Sequence, residues 1–238
     1  MPITTRRDLI VSGICAALFV LFCSTAVTPL SAAPSNSMLG ANETEFSAEE
    51  STFDAEVEYI QTDGNSWVDT GITISPQTTV SVVAAYTTVR SGQLFGSGYV
   101  GSNRFNFGTG SGVFQFGFGT GWFSVGSSDT KVHEFVLAAN GNSCIGAVDG
   151  NEVAFTANSF VPYAGSFLIG ARNGQTNKER ATIKIYQCQI WQEGILVLDL
   201  IPVRVDVDGT PVGAMYDLVS GTLFHNSGTG SFILGPDL

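Results

Sequence analysis

Between residues 105 and 118, phenylalanine returns at every second position on either side of Gly110-Ser111-Gly112. A period of two is the repeat of a β-strand, in which alternate side chains share one face. Phe105 and Phe107, then Phe114, Phe116 and Phe118, therefore aim five rings at one side of a strand pair. Such a face is stable only when a second layer covers it. Phe135, Leu137 and Ala139 repeat the alternation before Asn140-Gly141. Asp149-Gly150-Asn151 separates the apolar residues 145–148 from 153–155. Both dipeptides are hairpin turns, because Asn, Asp and Gly tolerate positive φ. Residues 80–86 are β-branched and nearly continuous, as in a strand covered on both faces. No window of ten or more residues combines a helical period with caps. The expected fold class is all-β, an antiparallel two-sheet β-sandwich of jelly-roll type.

The amino terminus reads differently. Thr5-Arg6-Arg7 precedes an apolar run through residue 22, and Pro29 precedes Ser31-Ala32-Ala33. This is the layout of a secretory signal peptide over residues 1–33, and Arg6-Arg7 fits the twin-arginine type as well as general secretion. An uncleaved leader is the alternative, in which case residues 9–30 would anchor the chain in a membrane. Cys23 is a poor lipid-attachment site behind Phe22. Residues 34–55 are rich in Ser, Asn, Glu and Ala and bury too little to offset chain entropy, so they read as a disordered acidic linker. The domain proper is expected over 56–238. A secreted or cell-surface location follows from the leader.

The chain carries a formal charge of −11. Loss of Arg6, Arg7 and Asp8 with the leader would make it −12. A phosphate backbone repels such a surface, which argues against nucleic acid as a partner. Glu43, Glu45, Glu49, Glu50, Asp54, Glu56 and Glu58 concentrate much of this acidity in one stretch without a basic residue.

The last third holds the most specific text: residues 183–191 and 195–204, then Tyr216-Asp217, Ser220-Gly221, Asn226-Ser227-Gly228 and Gly235-Pro236. With Glu58-Tyr59-Ile60 and Trp67-Val68-Asp69-Thr70-Gly71 at the start, this text resembles the laminin-G-like domains of the concanavalin A-like superfamily, from Glu56 to Pro236. The resemblance implies a jelly roll in bacterial secreted or surface proteins. Asp217 is expected to accept turn hydrogen bonds, Gly221 to take the left-handed conformation, and Asn226, Gly228 and Gly230 to return Phe232 and Leu234 to the core.

The superfamily also contains glycoside hydrolases, in which a retaining mechanism needs two carboxyl groups about 5 Å apart. Asp54, Glu56 and Glu58 alternate acids on one face, but they stand where the linker enters the first strand. His133 and His225 are the only histidines and no Gly-x-Ser-x-Gly elbow occurs, so no nucleophilic apparatus is legible. His133 reads as a hydrogen-bonded boundary residue and His225 as solvated. No catalytic residue is expected.

Asp206 and Asp208 resemble half a calcium loop, although Ca²⁺ takes six to eight oxygens. The alternative places Val203, Val205 and Val207 inward and Arg204, Asp206 and Asp208 on the wet face, with Arg204 attracting Asp206. Cys144 and Cys188 fall in strands and read either as a disulfide or as two buried thiols.

Ligand binding remains. A pyranose has an apolar face and a polar rim, so its sites combine an exposed Trp or Tyr with amide and charged groups. Tyr99, Asn103, Arg104 and Trp122 offer that set amid the glycines of residues 92–126. The expectation is a non-enzymatic binding module for a glycan or surface glycoprotein. A protein-binding adhesion domain without a sugar site, or less readily a glycoside hydrolase, are the alternatives.

Overall fold

The computed structural model describes residues 52–174 and 179–238. The leader, any anchor within it and linker residues 34–51 lie outside the described residues. The chain enters through β1 (Ala55–Glu56), β2 (Ile60–Gln61), β3 (Val68–Thr73), β4 (Thr78–Tyr86) and β5 (Gly92–Ser97). A 3-10 turn at Gly101–Asn103 leads to β6 (Arg104–Gly110), β7 (Val113–Gly119) and β8 (Gly121–Ser127). Next come β9 (His133–Asn140), β10 (Ser143–Val148), β11 (Asn151–Thr156) and β12 (Ser166–Ile169). Long strands β13 (Ile183–Gln192), β14 (Ile195–Val207) and β15 (Thr210–Asp217) follow, then β16 (Leu223–Phe224) and β17 (Ile233–Leu234).

These strands form two antiparallel sheets packed as a sandwich. The larger has the order β11-β10-β9-β4-β13-β14-β15-β16, with β1 on β14 and β2 between β13 and β17. The smaller is β3-β12-β5-β6-β7-β8. The alternating phenylalanines do what their period requires. Phe105, Phe107, Phe116 and Phe118 of the small sheet are at most 1% exposed. Phe107 meets Phe135 of the large sheet with ring centroids 5.4 Å apart, and Phe114 meets the same ring at 5.1 Å. The sheets approach so closely that a Cβ at Gly146 would fall 2.2 Å from Phe116 Cδ1, which only glycine avoids.

The tight hairpins share one device. Ser111, Asp149, Glu193 and Asp208 are the non-glycine residues with positive φ among the described residues, and each stands directly before a positive-φ glycine. Two consecutive left-handed residues match the twist of the flanking strands. The closing turn follows its expectation: Asp217 accepts the Val219 and Ser220 N–H groups at 3.1 Å each, and Gly221 has φ 72°. Asn226 likewise accepts the N–H groups of Trp67 and Gly228, and Phe232 is buried.

Three local expectations change. The linker was read to Ala55, yet Asp54 N–H already donates to Arg204 C=O at 2.9 Å and the Phe53 ring lies 4.9 Å from Tyr216. One aromatic anchor within an acidic stretch suffices to begin pairing. Val203 is buried as expected, but Val207 is exposed, because the end of β14 runs out beyond the core into its hairpin. Arg204 makes its ion pair with Asp237 at 3.0 Å, and Asp206 acts on it only as a weaker neighbouring charge.

Candidate functional site

The residues between the phenylalanines turn away from the core and build the outer face of the small sheet. Register sets Gln93 beside Gly108 and Gly108 beside Gln115. The neighbouring row runs Gly96, Asn106, Gly117 and Trp122. Gly117 leaves bare backbone beneath the indole: a Cβ there would lie 3.3 Å from Trp122 Cζ3 and 2.7 Å from Asn106 Oδ1. The tryptophan therefore lies across its partner strand, 39% exposed.

Arg172 completes the site. It follows β12, and its backbone N–H donates to Glu179 C=O at 3.1 Å. The side chain is only 1% exposed. Its guanidinium carbon lies 4.7 Å from the centroid of the Tyr99 ring and 5.8 Å from that of Trp122. Arg104 approaches the same indole at 5.8 Å. Such cation–π contacts contribute about 0.5–2 kcal/mol each, more when dry. Nη2 of Arg172 is 3.0 Å from Glu179 Oε1, and Glu179 Oε2 accepts Gln93 Nε2–H at 3.0 Å. Burial lowers the Arg172 pKa from its ordinary value while Glu179 works against that shift. The guanidinium nonetheless stays charged, since arginine starts so high.

Beneath the aromatic rings lie polar atoms withdrawn from water. Asn106 is fully buried, and its Nδ2 donates to Gly98 C=O at 3.4 Å. Asn106 Oδ1, Gln93 Oε1 and Arg104 Nε are buried with no hydrogen-bond partner among the described residues. An unmet buried polar group costs about 1–3 kcal/mol, so these atoms are held under the rings at some expense to stability. Two half-exposed rings, two guanidinium groups and amide acceptors combine apolar platforms with directional donors and acceptors.

Three of the four residues singled out for ligand binding, Tyr99, Arg104 and Trp122, thus come together around Arg172. Asn103 has another use: its Oδ1 accepts the Val100 N–H at 3.0 Å and closes the turn that carries Tyr99. Arg104 Nη1 also donates to Thr120 C=O at 3.0 Å, bracing the β7–β8 connection under Trp122. Arg172, Glu179, Gln93 and Asn106 escaped the sequence reading. One signal was present: Arg172, Lys178 and Arg180 crowd three of the chain's ten basic residues into one short segment.

The remaining candidates lie elsewhere. Asp208 is a positive-φ turn residue, and Asp206 Oδ1 accepts the Gly209 N–H at 2.6 Å across the β14–β15 hairpin. These are the duties of hairpin residues, and no group of three or more His, Cys, Asp or Glu side chains stands within reach of one metal ion among the described residues. Cys144 and Cys188 are free and buried; burial pushes the Cys144 thiol up to about 12 and the Cys188 thiol higher still. Asp54, Glu56 and Glu58 lie along the β1 entry to the large sheet, and a carboxylate oxygen of Asp54 accepts the Asp206 N–H. His133 is a boundary residue, hydrogen-bonded to Asp149 at 2.6 Å and Asp129 at 2.7 Å, with its ring 5.1 Å from Phe114.

The chain matches no described protein family and no curated protein. Its fold does recur among solved structures. One is a crystal structure from Bacteroides ovatus ATCC 8483, titled "putative carbohydrate binding protein". The two agree with a TM-score of 0.54 at 13% identity, over 76% of this chain and 60% of the other. The chain thus spans about three fifths of that neighbour's length. At this identity the likeness is one of fold.

Proposed function

We propose that the protein is a non-enzymatic secreted or cell-surface binding module that recognises carbohydrate, free or on a glycoprotein, through the outer face of the small sheet. Tyr99 and Trp122 are the stacking platforms. Arg104, at their edge, donates to ring hydroxyls, while the buried Arg172, Asn106 and Gln93 support the platforms from beneath. Within this reading the domain is a laminin-G-like member of the concanavalin A-like superfamily, and it needs no metal or cofactor for binding.

The observation that carries the reading is the burial of Arg172 against both exposed rings. A charge withdrawn from water between two aromatic side chains is costly to assemble for stability alone. It holds both rings at fixed positions and so prepays the ordering that a ligand would otherwise have to impose. The name of the Bacteroides ovatus neighbour points the same way. The non-enzymatic part rests on the place of Asp54, Glu56 and Glu58, on the large sheet and not on the aromatic face.

A glycan array screened with the full chain tests the proposal. Binding to a restricted set of glycans is expected, and Trp122→Ala should weaken it about tenfold through the lost stacking contact. Silence across the array, or binding that survives Trp122→Ala unchanged, overturns it. Hydrolysis of a bound polysaccharide overturns the non-enzymatic part.

A further inference from the structure

On the other side of Arg180 from this face, a cleft of about 210 Å³ is lined by Gly64, Tyr86, Arg90, Ser91, Arg180 and Thr182, among others. That space is well above the minimum for a single water and has room for a small acid group. Its charge is contrary to the rest of the molecule. The chain carries −11 overall, yet among the described residues two guanidinium groups line the cleft and no carboxylate does. Among the described residues neither arginine has an ion-pair partner, whereas Arg172, Arg204 and Lys131 each have one.

Arg180 is held in place. Its guanidinium lies over Trp67 at 5.3 Å, and Nη1 donates to Asn65 Oδ1 at 2.6 Å and to Gly64 C=O at 3.4 Å. Its Nε is buried without a hydrogen-bond partner among the described residues. Asn65 and Gly64 thus hold one arm of the rigid guanidinium and fix its charge at the cleft wall. Arg90 is exposed and makes no side-chain bond to the fold among the described residues. Hydroxyls complete the lining, at Ser91, Thr88 and Thr182, with the Tyr86 hydroxyl buried beside that of Thr109. Asp63, beside Gly64 in sequence, spends its carboxylate on the Asn65 and Ser231 N–H groups.

We infer that this cleft is an oxyanion-binding site, taking a carboxylate or sulfate group between Arg90 and Arg180. It is independent of the Tyr99–Trp122 face, because the adjacent residues Glu179 and Arg180 turn to opposite sides. Glu179 reaches Gln93 and Arg172; Arg180 reaches Asn65 and Trp67.

The test is an amide-resolved NMR titration of the full chain with sodium sulfate against sodium chloride at equal ionic strength. Saturable shifts at Gly64, Ser91 and Thr182 are expected. Arg90→Gln should weaken them about tenfold, the effect of losing a hydrogen bond to a charged group. The Arg90 side chain makes no bond to the fold among the described residues, and its backbone bonds survive the substitution, so this variant keeps the protein folded. Glucuronate and glucose 6-sulfate, run beside glucose, distinguish the two sources of the oxyanion; saturation by either acid supports the site. Trp122→Ala should leave the sulfate shifts unchanged whatever it does to glycan binding. Shifts that rise linearly across the whole chain, that survive Arg90→Gln, or that vanish with Trp122→Ala overturn the inference.

Discussion

The two faces of strands β6 and β7 are made from alternating residues of the same fourteen-odd positions, yet they obey different rules. The inner face is uniform: Phe105, Phe107, Phe114, Phe116 and Phe118 bury about the same apolar area each and meet other rings. The outer face is heterogeneous: Arg104, Asn106, Gly108, Gln115 and Gly117 have no common property. Its order comes from outside, from Tyr99 on the preceding loop, Trp122 on the next strand and Arg172 from far along the chain. Apolar burial is non-directional and tolerates any partner of suitable shape. A polar face works only when particular atoms meet at particular distances. One face can therefore be repeated along a strand, whereas the other must be assembled.

That contrast can be broken from either side. Phe107→Ala attacks the inner face, where the ring touches Phe95, Phe116 and Phe135. Its loss should cost about 3–5 kcal/mol in denaturant unfolding, the range for a large buried aromatic. A loss below 1 kcal/mol would mean that the phenylalanine ladder is not what joins the sheets. Arg172→Met attacks the outer face while keeping an unbranched side chain between Tyr99 and Trp122. We expect a loss of about 1–3 kcal/mol from the ion pair and ring contacts, with glycan binding falling further than stability accounts for. Equal binding by folded Arg172→Met would remove the arginine from the site.

The smallest effect belongs to the border between wet and dry surroundings, at His133. Burial opposes its charge, but hydrogen bonds to Asp149 and Asp129 outweigh it and raise its pKa above the ordinary 6.5. A raised folded value means that the charged imidazole stabilises the fold below about pH 6.5 and that this contribution is lost as pH climbs through the folded pKa. Asp129 is lowered from 3.8, chiefly by its hydrogen bond to His133, so its share is present above that value and lost in acid. Unfolding measured from pH 4 to 9 should show His133→Gln differing most from the native protein between these limits and converging with it in alkali. Parallel pH curves for the two proteins would exclude the charged pair.

Much of the molecule was legible along the chain, and the reason is locality. A strand announces itself by period two, and a tight hairpin by two residues that tolerate positive φ, so Phe105 to Phe118, Asp149-Gly150 and the Asp217 turn required no knowledge of distant segments. At Asp206 and Asp208, by contrast, two acids before a glycine offered half a metal loop beside the reading as a wet strand face, and the sequence pattern could not choose between them. The question turned on whether further oxygens come close, which is a fact about distant chain. Phe53 was hidden for the opposite reason, one apolar ring averaged away among acids.

Tyr99, Arg104 and Trp122 could be named as exposed platforms and donors from their types alone. That they form one site could not. Arg172 lies 73 positions after Tyr99, on a segment with neither period nor motif, and only closure of β12 against β5 brings its guanidinium to both rings. Strand pattern depends on neighbours in sequence, so it was decided residue by residue. The convergence of charge and aromatic rings depends on neighbours in space, and the folded sheet alone decides those.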